Sequence, residues 1–231
     1  MKTAGIVGGI GPESTIEYYR QIITLYRERK ADGGYPQIVI NSINMTRMLD
    51  MIAAGQLAEV TMYLTAEVKK LADAGADFGL LASNTPHIVF DDIRTGSPIP
   101  MISIVEETCK KARSLGLTNA GLFGTKFTMQ GPTYTRVFSK HGINIIVPNP
   151  DDQNYIHEKY MSEFVNGIIR DETKSRLLQI LGSLKEGQDI EGLILGGTEL
   201  PLILQDTDDP DIPFLDTTRI HVEAVVDWLL G

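Results

Sequence analysis

The chain is 231 residues long, 42% hydrophobic and 22% charged, with a net charge of −9. That length buries a real core as one large domain or two small lobes, and the acidic balance argues against nucleic acid or an anionic membrane as partner, since both reward basic patches. No stretch approaches the roughly 20 apolar residues of a bilayer span; the single cysteine, Cys109, excludes an intrachain disulfide and makes the cytoplasm the expected compartment.

Along the chain, short apolar runs alternate with amphipathic stretches. The apolar start, Met1 to Ile10, is short, Gly-rich and followed by Pro12, which suits a strand and its loop rather than a signal peptide. A strand is expected at Ala4–Val7, then a helix with Ile16, Tyr19, Ile23 and Tyr26 on one stripe. Ile38–Ile40 is the second strand, and Val60, Leu64, Val68 and Leu71 line a helix that Gly75 stops. Strands follow at Phe78–Ala82, Met101–Ile102, Ala120–Phe123 and Ile143–Val147. A helix carrying Leu177, Leu178, Leu181 and Leu184 leads to strands at Gly192–Leu195 and Pro213–Leu215. A last helix carries Val222, Val225, Val226 and Leu229. Apolar strands of this length suit a sheet covered on both faces, and strand–helix alternation makes that sheet parallel, an α/β fold.

A weak internal repeat divides the chain. Gly5-Ile-Val-Gly-Gly-Ile-Gly-Pro opens the first half and Gly121-Leu-Phe-Gly-Thr-Lys-Phe-Thr the second. Each half later reaches a strand that ends in a small polar cluster, Ala82-Ser83-Asn84-Thr85 or Gly196-Gly197-Thr198-Glu199. Two related parallel-sheet lobes are therefore expected, one of residues 1–103 plus 209–231 and one of residues 104–208. Ligands of open α/β sheets sit outside the carboxyl ends of strands, so the site is expected in a cleft between the two lobes.

Five clusters could carry chemistry. Gly8-Gly9-Ile10-Gly11-Pro12 lacks the dinucleotide spacing; it is either a tight turn capped by Glu13 or Ser14, or a substrate contact through Gly9 and Ile10. Ser83, Asn84 and Thr85 follow a buried strand; a helix cap needs only one of them, which favours ligand contact. His87, just beyond, suits packing better than catalysis. Thr125 and Thr128 either cap a helix or donate to a carboxylate. Thr198 and Glu199 bring a hydroxyl and a carboxylate to a strand end, where Glu199 can bind an ammonium or move protons or simply favour a helix dipole. Asp216-Thr217-Thr218-Arg219-Ile220-His221 suits a helix start. Arg47, after the second strand, is the best cation for a substrate carboxylate, unless it is a solvated surface arginine. No metal-ligand spacing, phosphate-binding loop or nucleophile elbow is present, and Cys109 falls inside a helix as a packing residue.

In this order, Met1-Lys-Thr-Ala-Gly-Ile-Val-Gly-Gly-Ile-Gly-Pro-Glu-Ser-Thr15, Ala82-Ser-Asn-Thr-Pro-His87, Gly124-Thr-Lys-Phe-Thr-Met129, Leu195-Gly-Gly-Thr-Glu199 and Asp216-Thr-Thr-Arg-Ile-His221 make the chain resemble the aspartate/glutamate racemase family from end to end. The resemblance implies two pseudo-symmetric lobes, no cofactor, a homodimer, and racemisation at the α-carbon of a small, usually acidic amino acid. The family uses two cysteines on opposite faces of the substrate, one thiolate removing the α-proton and one thiol returning a proton; a thiol pKa near 8.5 keeps both forms accessible.

The positions matching those cysteines are Ser83 and Gly197. A serine hydroxyl without a base is a very poor proton acceptor at pH 7 and glycine has no side chain, so two-thiol racemisation is impossible as written. Acidic-substrate members also carry a lysine just before the glycine that ends the helix after the sixth strand, whereas the matching Phe164-Val165-Asn166-Gly167 has none. The first expectation is an isomerase with a rebuilt acid/base pair, Ser83 on one side of the α-carbon and Glu199, His87 or His221 on the other. The alternative is a catalytically inactive protein that binds an amino acid or dicarboxylate through Asn84, Thr85, Thr125, Thr128, Thr198 and backbone amides.

Overall fold

A computed structural model describes residues 2–30 and 32–231; Met1 of the N-terminal motif lies outside the described residues. The chain divides into two compact units, Met1–Ile104 with His221–Gly231, and Val105–Ile220.

The first unit holds β1 (Thr3–Gly8), α1 (Pro12–Arg29), β2 (Gln37–Ser42), α2 (Met45–Ala53), α3 (Leu57–Asp73), β3 (Phe78–Leu81), a 3-10 turn over Thr85–Val89, α4 (Phe90–Gly96) and β4 (Met101–Ile102). All pairings are parallel, in the order β2-β1-β3-β4, with Ala4 opposite both Ile38 and Phe78. Alternation along the strands sorts side chains to two faces. Ala4, Ile6, Phe78 and Leu80 pack with Tyr18, Ile22 and Tyr26 of α1 and with Val222, Val225, Val226 and Leu229. Val7 and Leu81 pack with Val60, Leu64, Val68 and Leu71 of α3. The sheet is covered on both faces except at its edge, where Ile40 of β2 is 40% exposed.

The second unit begins within α5 (Ile104–Ser114) and continues through β5 (Asn119–Gly124), α6 (Lys126–Gln130), α7 (Pro132–Ser139), β6 (Asn144–Ile146), α8 (Pro150–Ser162), α9 (Asp171–Gln188), β7 (Gly192–Gly196) and β8 (Phe214–Asp216). Its sheet is again parallel, in the order β6-β5-β7-β8. The two sheets thus repeat one strand order, as the sequence repeat predicts. Leu122, Phe123, Leu193, Ile194 and Leu195 are buried, as are Leu177, Ile180, Leu181 and Leu184 of α9. The final helix, α10 (Thr217–Leu230), starts in the second unit and ends in the first. No helix among the described residues is long and apolar enough to cross a membrane.

Three expectations need correction. On α1, Tyr26 is buried as expected, but Ile16 and Tyr19 are 50% and 47% exposed and Tyr18 and Ile22 are buried in their place; the helix is apolar on two stripes, and the sheet covers the one spaced i, i+4, i+8. On α9, Ile180 and not Leu178 completes the buried stripe. The chain rejoins the first unit at His221 rather than near residue 209, because Phe214–Asp216 pairs with β7 and belongs to the second sheet.

Close packing of α3 on β1 depends on Gly5, where an added Cβ would lie 2.8 Å from the Ala76 Cβ and 3.1 Å from the Leu71 Cβ. Both neighbours are fixed to the backbone and cannot rotate away. Gly5→Ala is expected to cost about 1–3 kcal/mol, read as a lowered urea midpoint at unchanged slope.

Candidate functional site

In the first unit, β1 runs into Gly9, whose φ of +76° is the left-handed region that favours glycine. A Cβ there would also lie 2.6 Å from the Ile43 carbonyl oxygen. The Gly9 N–H donates to Thr15 Oγ1 at 2.8 Å and Ile10 is buried, so this N–H closes the turn and is not offered to an anion. The expected caps are not used: no side chain caps α1, and Ser14 Oγ donates to the Ala82 carbonyl at 2.9 Å. Two links of the first cluster are therefore structural, one tying the turn to α1 and one tying α1 to the end of β3.

Beyond β3, Ser83 and Thr85 are half-buried and Asn84 is buried. Asn84 does not cap the following 3-10 turn, so the cluster is not explained by capping. His87 Nδ1 lies 2.9 Å from the Ser83 carbonyl oxygen, and its Nε2 accepts the Ile104 N–H at 3.3 Å. A carbonyl only accepts, so the ring proton sits on Nδ1. His221 is the mirror case: Nε2 faces the Ile102 carbonyl at 3.2 Å, leaving Nδ1 to accept from the Tyr18 hydroxyl at 2.8 Å. Burial pushes both imidazoles down to about 3. Both are neutral at pH 7 with each nitrogen engaged, which removes His87 and His221 as the base of a rebuilt pair.

Arg47, on α2, is exposed, and its guanidinium lies 4.6 Å over the Tyr63 ring. Asn44 Oδ1 accepts the Arg47 N–H at 3.1 Å and caps the helix. The ring face attracts the guanidinium, whose charge also helps to lower the pKa of the Glu67 carboxyl.

In the second unit, Thr125 caps α6: its Oγ1 accepts the Thr128 N–H at 3.3 Å and lies 3.2 Å from the Thr128 hydroxyl. The capping role left open from sequence is therefore present. Asp216 Oδ1 accepts from the N–H groups of Thr218 and Arg219, at 2.9 and 3.1 Å, and starts α10. Cys109 is buried in α5 and its thiol is pushed up by burial, as suits a packing residue.

The second strand end holds the densest chemistry. β7 stops at Gly196, followed by Gly197, Thr198 and Glu199. Glu199 is 5% exposed. Its Oε2 accepts from Thr198 Oγ1 at 2.8 Å and from the Tyr160 hydroxyl. Among the described residues, no lysine, arginine or histidine pairs with it. Tyr160 comes from α8, is buried, and meets Phe164 edge-on at 6.0 Å. Burial and the adjoining carboxylate raise its phenol pKa well above the ordinary value. The ring lies where a side chain of residue 197 would go: a Cβ on Gly197 would be 2.8 Å from Tyr160 Oη and 2.9 Å from Cζ.

Tyr160 is the residue that sequence reasoning missed. Ile156 and Tyr160 share the buried face of α8 at i, i+4 spacing, a signal that finds a core aromatic but not its hydroxyl's partner 39 positions on. No group of three or more metal-ligating side chains occurs among the described residues.

The chain is 26% identical over 236 residues to the broad specificity amino-acid racemase RacX of Bacillus subtilis (strain 168), covering 98% of each protein. It superposes on the crystal structure of an aspartate racemase homologue from Pyrococcus horikoshii OT3 with a TM-score of 0.87 at 31% identity, and on a candidate Asp/Glu racemase from Yersinia pestis with a TM-score of 0.92 at 31% identity, all of each chain being covered. The Asp/Glu/Hydantoin racemase family model matches residues 7–225, and the chain belongs to that family.

Proposed function

We propose that the protein is a cofactor-independent amino-acid racemase-type isomerase acting at the α-carbon of a small, acidic amino acid without the two-thiol pair. The observation that carries this is the buried Glu199 carboxylate at the end of β7, held by two hydroxyls and, among the described residues, no cation. Burying a carboxylate without a cation costs several kcal/mol, and packing alone gives no reason to keep one at a strand end. Such a group is explained by proton transfer. Arg47 supplies recognition of a carboxylate, and Asn84, Thr85 and Thr198 supply polar contacts to substrate. The proposal extends to a cytoplasmic homodimer, supported by the exposed Ile16 and Tyr19 on α1.

One observation favours a second function, a receptor that holds an amino acid without turnover. His87 commits both nitrogens, so it cannot serve as a base for the Ser83 hydroxyl.

Incubation in D₂O with L- and D-aspartate, L- and D-glutamate and neutral amino acids, followed by NMR, separates the two. Enzyme-dependent loss of the α-proton signal is expected, falling at least about 100-fold in Glu199→Gln. Absence of exchange with every substrate, together with a thermal shift, would mean a receptor; a ligand at 100 times its Kd adds about 2.7 kcal/mol.

A further inference from the structure

We propose that Tyr160 is a catalytic residue: its phenol relays the proton between the substrate α-carbon and Glu199. This rests on the racemase-type function proposed above and names the group that does the work at the second strand end.

Residue 197 is the first after β7, the place where a strand-end side chain of a parallel sheet meets a ligand. It is a glycine, and the volume its side chain would fill is taken by the Tyr160 ring, with the hydroxyl 2.8 Å from the Cβ position. The strand end therefore presents a phenol supplied by α8 instead of a side chain of its own. That phenol is not a solitary buried hydroxyl. It donates to Glu199 Oε2, which also accepts from Thr198 Oγ1.

The protons balance without a phenolate. In the forward step the phenol oxygen takes the α-proton while its own proton passes to the Glu199 carboxylate. The C–H bond breaks and its electron pair stays on carbon; Tyr160 ends neutral and Glu199 ends as the acid. In the opposite direction of racemisation, where the α-proton has left from the other face, a protonated Glu199 gives its proton to the phenol oxygen as the phenol proton passes to carbon, forming the C–H bond on the Tyr160 face. Because Tyr160 is neutral at both ends of each step, the upward push on its pKa is no obstacle. Thr198 keeps Oε2 turned toward the phenol in both states.

The test uses wild type, Tyr160→Phe, Glu199→Gln and the double variant, each assayed in D₂O for α-proton exchange with the best substrate of the panel. Tyr160→Phe keeps the ring over Gly197 and against Phe164, so circular dichroism and substrate-induced thermal shift should match wild type. Exchange is expected to fall at least about 100-fold in each single variant, and the double variant should be no slower than either, since parts of one relay are not additive. Glu199→Asp should recover part of the rate. A Tyr160→Phe protein that folds, binds and exchanges within threefold of wild type would overturn the relay and leave the isomerase function standing. A wild type that exchanges no substrate would overturn both. Single-variant losses that multiply in the double variant would also overturn the relay.

Discussion

Between pH 7 and pH 5 the protein is expected to lose about 4 kcal/mol of unfolding free energy, from His87 and His221 alone. Both are fully buried imidazoles brought from an ordinary value of 6.5 down to about 3 in the fold. Below pH 6.5 the unfolded chain binds two protons that the native protein refuses. Stability therefore falls as pH falls, and it continues to fall until the native imidazoles titrate near pH 3. One unit of difference is about 1.4 kcal/mol per group, so each imidazole contributes about 2 kcal/mol of loss by pH 5. The stabilising state is the neutral one, present in full above pH 6.5. Urea unfolding at half-unit pH intervals measures this. A His221→Gln variant, though less stable at pH 7 through loss of its bonds to Tyr18 and Ile102, should show about half the pH slope. A wild-type stability that stays flat from pH 6.5 to 5 would show that the native imidazoles already carry protons.

These two histidines mark where the sequence was informative and where it was not. All eight expected strands form within two residues of their expected limits, because a covered parallel strand is a short apolar run between breakers and needs no partner to be recognised. The repeated polar clusters also locate both strand ends. What strings of letters do not contain is which partner each polar atom meets. His87 and His221 stand next to the clusters and invite a catalytic role, yet both serve the first unit's interior, one bonded to Ser83 and Ile104 and the other to Ile102 and Tyr18. The failed stripe on α1 has the same origin: two apolar faces are visible in sequence, and only the sheet decides that Tyr18 and Ile22 go inside while Ile16 and Tyr19 stay out. Gly197 reads as a lost side chain in sequence. In the fold its emptiness is occupied, by a ring from a helix that carries no recognisable motif.

That occupancy makes Gly197→Ala the most damaging small substitution expected at the site. The backbone itself permits alanine: Gly197 is not among the glycines with positive φ, which include Gly9 and Gly167. The obstacle is Tyr160, whose Oη and Cζ would lie 2.8 and 2.9 Å from the new Cβ. The ring cannot yield freely, since Phe164 meets it edge-on and Glu199 holds its hydroxyl. Moving it costs the strain of overpacking, about 1–3 kcal/mol. It also breaks a hydrogen bond to a charged group, about 1.5–3 kcal/mol, and leaves a buried carboxylate with Thr198 as its one remaining side-chain donor among the described residues. Gly197→Ala should therefore lose about 3 kcal/mol or more of stability by urea unfolding and, in D₂O, lose α-proton exchange to the same extent as Tyr160→Phe. The cause is separable by a double-mutant cycle. In a Tyr160→Ala background the ring is gone, and Gly197→Ala should be neutral within about 0.5 kcal/mol. Equal costs in both backgrounds would mean that residue 197 is glycine for a reason other than Tyr160. A cost that vanishes with the ring would tie the missing side chain to the ring that fills its place.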